Sequence, residues 1–232
     1  MVKQVICFPY AGGSSSIYFD WNSKLKGDVD IQSIEYPGHG IRYGEAFKDT
    51  IKEIADDSVS QVQRNAKDGY IMYGHSMGSL VALETIFNLA DIGAKLPKAL
   101  VVAASAPPHL LSGSEIDLKD KNAIMQFVFK LGQTESAVFE IKEIYDMFSE
   151  IIYADMRLVS EYSRSYSNGK LDIPVIAVVG DDDPVVSKQD MNGWGEYTTN
   201  MFVEKSFKGD HFFAFNNHEF LDYLVFTVLK NY

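Results

Sequence analysis

Short apolar runs alternate with longer stretches of helical spacing along most of this 232-residue chain, and few folds accept that pattern. Val5-Ile6-Cys7-Phe8 is one such run. Ile31 to Tyr36, Tyr70 to Tyr73, Ala99 to Ala103, Val175 to Val179 and Met201 to Phe207 are others. Each is short and rich in β-branched or aromatic residues, as strands buried on both faces are. Between them, Ile51, Ile54, Ala55, Val59, Val62 and Ala66 keep a helical period, with Asp49 and Thr50 placed to cap it. Leu80 to Leu89 predicts a second helix. Phe220, Leu221, Leu224, Val225, Val228 and Leu229 predict a C-terminal one. Strands alternating with helices predict a mostly parallel sheet covered on both faces.

The alternation breaks between about Pro107 and Asn168. Three helical patterns follow one another there. Ile124, Phe127, Val128 and Leu131 mark the first; Val138, Ile141, Tyr145, Phe148 and Ile152 the second; Val159, Tyr162 and Tyr166 the third. The block is too small for a core of its own and reads as an insertion into a single domain spanning 1–232. Its apolar stripe packs onto the core, and part of it is placed to line a channel for a substrate chain. Hydrophobic residues at 46% and charged residues at 23% exclude disordered, collagen-like and coiled-coil chains. A net charge of −11 argues against nucleic-acid binding, which needs clustered Lys and Arg. No apolar run reaches the ~18 residues of a membrane span. The start, Met1 to Pro9, is too short an apolar run for a signal peptide. The one cysteine, Cys7, excludes an intramolecular disulfide and a Cys-based metal cluster. A cytoplasmic protein with no nucleic-acid or membrane partner is expected.

Gly74-His75-Ser76-Met77-Gly78 follows the third predicted strand and precedes a helix. The pattern alone is common by chance; the strand-to-helix setting gives it weight. A serine on so tight a turn holds its hydroxyl exposed, and the glycines avoid clashes with strand and helix. A serine hydroxyl needs a base to take its proton, and the base needs a carboxylate to orient it. Of the five histidines, His75 sits inside the turn itself and His218 at the start of the C-terminal helix. His39, beside Pro37 and Gly38, reads as structural. His211, in Gly209-Asp210-His211-Phe212-Phe213, lies on the loop after the last strand, at the sheet edge where ligands bind in open α/β sheets. The acid is expected after the preceding strand, in Gly180-Asp181-Asp182-Asp183-Pro184. Spacing leaves three aspartates open, and Asp183 is preferred. Ser76…Asp183…His211 is the chain order of an α/β-hydrolase.

Acyl transfer also needs two donors for the developing oxyanion. Met77 N–H, next to the nucleophile, is the first. The second is expected from Phe8-Pro9-Tyr10-Ala11-Gly12-Gly13-Ser14 after the first strand, with Ala11 N–H ahead of Tyr10. A phosphate loop is excluded there, since neither G-x-x-x-x-G-K-[ST] nor G-x-G-x-x-G is present.

Together with Tyr36-Pro37-Gly38-His39-Gly40, these motifs in this order make the chain resemble a type II thioesterase over essentially its whole length. Such free-standing α/β-hydrolases accompany nonribosomal peptide and polyketide synthetases. The resemblance implies an α/β-hydrolase fold with a helical lid insertion at about 107–168. It implies a serine thioesterase that hydrolyses acyl groups from the 4′-phosphopantetheine arm of an acyl or peptidyl carrier protein, clearing stalled or misprimed carriers. It implies Ser76 as nucleophile, His211 as base, Asp183 as orienting acid, and Ala11 and Met77 as oxyanion donors. No metal or cofactor of its own is expected, because the phosphopantetheine belongs to the partner, and a monomer is expected. A general carboxylesterase or an acyltransferase acting on small free esters is the alternative, since the same triad serves both. Carrier proteins are commonly acidic. Glu115 to Arg164 holds ten acids against six bases, so docking is expected to rest on local Lys or Arg or on apolar contact.

Asp183→Asn should lower turnover far more than Asp181→Asn or Asp182→Asn in steady-state assays. Equal losses from all three would remove Asp183 as the acid.

Overall fold

The structure is a computed structural model that describes residues 3–25, 29–111, 120–131, 141–164 and 169–231. Strand β1 (Lys3–Phe8) sends successive side chains to opposite faces, and both faces are apolar. Ile6 and Phe8 join one buried cluster; Val5 and Cys7 join another. Cys7 is fully buried as a free thiol. Strands β2 (Val29–Ser33), β3 (Ile71–His75), β4 (Leu100–Ala103), β5 (Val175–Gly180) and β6 (Phe202–Phe207) complete one sheet in the order β2-β1-β3-β4-β5-β6. Every neighbouring pair is parallel. The chain places β2 on one side of β1 and the later strands on the other. The loops after β1 and β3 therefore diverge at a topological switch point, the position at which open α/β sheets bind ligands.

The expected sheet is present; the strand boundaries shift by one or two residues, and most at β2. The strand read as Ile31 to Tyr36 starts at Val29 and leaves the ladder after Ser33. Ile34 N–H still donates to Cys7 C=O. Beyond it, side chains take over the backbone groups. Glu35 N–H donates to Gln61 Oε1, and Glu35 C=O accepts from Gln61 and Arg42.

Helices α2 (Ile51–Asn65) and α3 (Met77–Asp91) supply much of the first buried cluster. Thr50 is the α2 cap, its Oγ1 accepting Glu53 N–H at 3.1 Å. α3 is buried on nearly every side, which explains its almost unbroken apolar sequence. The opposite face is covered by α1 (Phe19–Lys24) and by the C-terminal segment. That segment runs from His218–Tyr223 through a π-helical turn at Leu224–Val228. Trp21, Phe213 and Phe220 anchor this layer, each burial being worth about 1.5–3 kcal/mol.

Between β4 and β5 lie α4 (Lys121–Lys130) and α5 (Lys142–Glu161). The first helical pattern is α4, with Leu131 as its C-cap. The second and third are corrected. From Tyr145 to Val159 they form the single 20-residue α5, and Tyr162 is its extended C-cap. Val138 and Tyr166 lie outside the described residues. α4 and α5 share a small cluster of Ile124, Met125, Val128 and Ile152. Beyond α5 the chain is tied to α3. The buried Glu84 carboxylate accepts from Tyr162 OH at 2.6 Å and from Arg164 Nη1 at 2.8 Å to each oxygen. Among the described residues no helix is long and apolar enough to cross a membrane.

Removing Arg164 strands a buried carboxylate, whereas removing the Tyr162 hydroxyl leaves that carboxylate its cation. Arg164→Met should therefore cost about 3–5 kcal/mol in denaturant unfolding. Tyr162→Phe should cost about 1–3 kcal/mol. The reverse ranking would contradict this account.

Candidate active site

β3 runs straight into α3, and Ser76 is the hinge, with φ 52° and ψ −120°. Non-glycine residues rarely hold a positive φ. The backbone around it is satisfied: Ser76 N–H donates to Ala103 C=O, and Ser76 C=O accepts from Ser79 N–H. Ser79 Oγ donates to Gly74 C=O at 2.8 Å. Space explains the two glycines. A Cβ on Gly74 would lie 2.4 Å from Gly78 O, and one on Gly78 would lie 2.1 Å from Phe8 O. The close approach seats the start of α3 on the end of β1. Ser76 makes no side-chain cap, so its Oγ is left to face His211 Nε2 at 3.1 Å.

His211 Nδ1 lies 2.9 Å from Asp183 Oδ2 and 3.1 Å from Oδ1. A carboxylate only accepts, so Nδ1 carries a proton and Nε2 is free to accept from the Ser76 hydroxyl. Asp183 Oδ1 also accepts Val185 N–H and Val186 N–H. Burial pushes the Asp183 carboxyl up; the His211 hydrogen bond and charge and the two N–H groups outweigh it and hold it below its ordinary value. Asp181 and Asp182 are exposed. A Cβ on Gly180 would lie 2.3 Å from Asp210 O, so the acid loop and the histidine loop touch through that glycine.

His75 supports the same loop from beneath. Its Nε2 donates to His211 C=O at 2.8 Å, which leaves Nδ1 to accept from Tyr73 OH at 2.9 Å. Burial first, and the neighbouring His211 second, push its pKa down to about 3, so this imidazole stays neutral. His109 stacks on Tyr197, and His218 is exposed on α8 (His218–Tyr223), which follows α6 (Lys188–Met191) and α7 (Phe213–Asn216).

The loop after β1 lies at the other side of the elbow. Among the described residues, neither Ala11 N–H nor Met77 N–H donates to a protein group. Gly12, at φ +79°, donates its N–H to Asp155 Oδ2 of α5 at 2.7 Å. The same oxygen lies 2.9 Å from His39 Nε2, while His39 Nδ1 faces Pro37 C=O at 3.0 Å. Both ring nitrogens of His39 meet acceptors, so the ring is an imidazolium. Burial pushes the His39 pKa down; the Asp155 hydrogen bond and charge, the Pro37 carbonyl and Glu35 outweigh it and raise it. Glu35 in turn accepts from Ser15 N–H at 3.0 Å and Ser15 Oγ at 2.7 Å, tying the loops after β1 and β2 together.

With Ser76, His211 and Asp183 in one hydrogen-bonded line at the end of a parallel sheet, comparison with known proteins decides the family. A family model described as "Thioesterase domain" matches residues 3–227. The chain belongs to the thioesterase domain family. It is an α/β-hydrolase and a thioester hydrolase. The medium-chain S-acyl fatty acid synthase thioesterase of Rattus norvegicus is 27% identical over 236 residues, covering 99% of this chain and 89% of the rat protein. The solved structure of ClbQ from the colibactin NRPS/PKS pathway superposes with a TM-score of 0.89 at 29% identity, covering 100% of this chain and 99% of that one. BorB, a type II thioesterase from the borrelidin biosynthetic cluster, gives 0.85 at 28%, covering 97% and 92%. The thioesterase thus holds together the three side chains that the sequence singled out for the triad.

The sequence did not single out Asp155 or the supporting role of His75. Asp155 had a legible signal, an acid within the buried face Ile151, Ile152, Leu158 of α5.

The His39 shift carries a sign. A pKa raised in the folded state gives stability that is complete below the unfolded value of about 6.5 and is lost as pH rises through the folded value. The stability gap between wild type and His39→Gln should be widest at about pH 5–6 and narrow toward about pH 9. Thermal melts across that range would disprove it by showing a gap that is flat or that widens with pH.

Proposed function

We propose that this thioesterase hydrolyses acyl thioesters from the 4′-phosphopantetheine arm of a carrier protein, clearing misprimed or stalled carriers of a nonribosomal peptide or polyketide synthetase. The observation that carries the chemistry is the 3.1 Å approach of Ser76 Oγ to His211 Nε2 on a strained elbow. The pathway assignment is supported by the likeness to ClbQ and BorB over nearly the full length of both. A cytoplasmic location is part of this proposal, since the carriers of such a pathway would have to be met there. Every group the mechanism uses comes from one chain, which fits a monomer.

In this reading the thioester carbonyl oxygen sits between Ala11 N–H and Met77 N–H. Ser76 Oγ attacks the carbonyl carbon as His211 Nε2 takes its proton. Asp183 holds the Nδ1–H and stabilises the imidazolium that forms. The tetrahedral oxyanion is bound by Met77 N–H at the positive end of α3 and by Ala11 N–H of the loop after β1. It collapses by breaking the C–S bond, and His211 returns the proton to the departing thiol. A water, deprotonated at the same Nε2, then attacks the acyl-serine. The acid leaves and Ser76 recovers its proton. No step is assigned to a metal or to a diffusible cofactor, and the phosphopantetheine is part of the partner.

The match to the rat enzyme over 99% of the chain favours a second reading, in which the carrier presents a medium-chain fatty acyl group. The test is hydrolysis of acetyl- and decanoyl-phosphopantetheinyl carrier protein, with the acyl-CoAs and a p-nitrophenyl ester in parallel and Ser76→Ala as control. Fast release of acetyl from the carrier, slow release from CoA and ester, and none with Ser76→Ala is expected. A preference for the decanoyl carrier would favour the second reading. Equal rates on carrier and ester would favour a general esterase, and transfer to an added alcohol or amine an acyltransferase.

A further inference from the structure

The oxyanion loop is held by a group from outside the sheet. The Ala11 N–H belongs to the Tyr10–Ala11 peptide, whose Tyr10 C=O accepts Gly13 N–H at 2.9 Å. The other side of Ala11 is set by the Ala11–Gly12 peptide. Its N–H donates to Asp155 Oδ2, on α5, at 2.7 Å. Asp155 is 143 residues further along the chain and 1% exposed. The packing agrees with the hydrogen bond. A Cβ on Gly12 would lie 2.2 Å from Ile152 Cδ1, so α5 rests directly on this glycine. Asp155 is itself fixed, since the same oxygen faces His39 Nε2 at 2.9 Å, and His39 is 2% exposed. His39 is anchored in turn to Pro37 C=O. A buried carboxylate facing a single neutral N–H would be costly, and the imidazolium removes that cost.

We infer that Asp155 of α5 is a positioning residue for the oxyanion hole, its Oδ2 orienting the Ala11–Gly12 peptide and His39 holding that carboxylate in place. The inference rests on the reading of Ser76 as nucleophile and of the loop after β1 as half of the hole. Asp155 touches neither substrate nor a reacting atom. It acts through the loop, and a misplacement of about 1 Å at such a site can cost about a hundredfold in rate. One consequence follows for the insertion. It contributes to catalysis, because the hole is complete only while α5 is seated on Gly12.

Three variants test this. Asp155→Leu removes the acceptor. Asp155→Asn keeps an oxygen that can still accept Gly12 N–H. The double variant His39→Gln/Asp155→Leu avoids an unpaired buried imidazolium, so that a folded protein without the acceptor is available even if the single variant does not fold. With acetyl-CoA as a small thioester, kcat should fall about tenfold to a hundredfold in Asp155→Leu and in the double variant, with KM within about twofold. Asp155→Asn should restore most of kcat. Inhibition by an alkyl trifluoromethyl ketone, whose adduct places an oxyanion in the hole, should weaken by the same factor as kcat/KM. A merely structural residue would change the melting temperature without moving that ratio. Wild-type kcat in the folded double variant, or a loss confined to KM, would overturn the inference. Ser76→Ala keeps the two failures apart. If it retains turnover, the reading of the nucleophile is wrong. If it is inactive while the double variant is fully active, only the role of Asp155 falls.

Discussion

The active site depends on a close approach between two glycines. Gly74 is the penultimate residue of β3 and Gly78 lies in the first turn of α3, and neither tolerates a side chain, because Gly78 O fills the space at Gly74 and Phe8 O of β1 fills it at Gly78. This contact makes the chain turn within one residue, and Ser76 takes the positive φ that the turn requires. The rest of the arrangement follows. The helix N-terminus is aimed at the hydroxyl, and Phe8 O lies against Gly78 so that the first strand reaches the same point. The loops after β5 and β6 meet over Gly180 and bring Asp183 and His211 together. Backbone strain at such a residue persists only where the surroundings over-determine it. Here strand ladder, helix and glycine contacts all do.

A second layer of buried polar groups converts that frame into fixed side-chain directions. His75 donates to the backbone of His211, so His211 is held both by its ring and by its main chain. Glu35 ties Ser15 to the loop beyond β2. His39 and Asp155 join that loop to the insertion. Each of these groups is buried and hydrogen-bonded, so each is tolerated only in the geometry that satisfies it. The loops around the site are therefore stiff for loops, and their stiffness comes from polar contacts.

What the sequence revealed follows from the same physics. Strands buried on both faces must be apolar at every position, so β1, β3, β4 and β5 stand out as short runs. The elbow stands out because its glycines are forced by space. Among Asp181, Asp182 and Asp183 the sequence offers only a preference, since the distinction arises when the chain turns at Gly180 and sends the Asp183 side chain inward to Val185, Val186 and His211. The second and third helical patterns of the insertion read as two where the structure has the single helix α5. A charged residue interrupts its apolar stripe at Asp155, and an interruption reads as a break. The helix continues there, because the partner that neutralises the charge, His39, lies 116 residues earlier in the chain. Pairings of that range leave no local pattern.

The chain's sole cysteine bears on the chemistry in another way. Each turnover of a thioesterase liberates a free thiol beside the enzyme. Cys7 lies on β1, an interior strand of the sheet, fully buried, and burial pushes its thiol well above the ordinary range. It presents neither the access nor the thiolate that exchange requires. Where the released thiol has been oxidised to a disulfide, the folded enzyme offers it no thiolate for exchange.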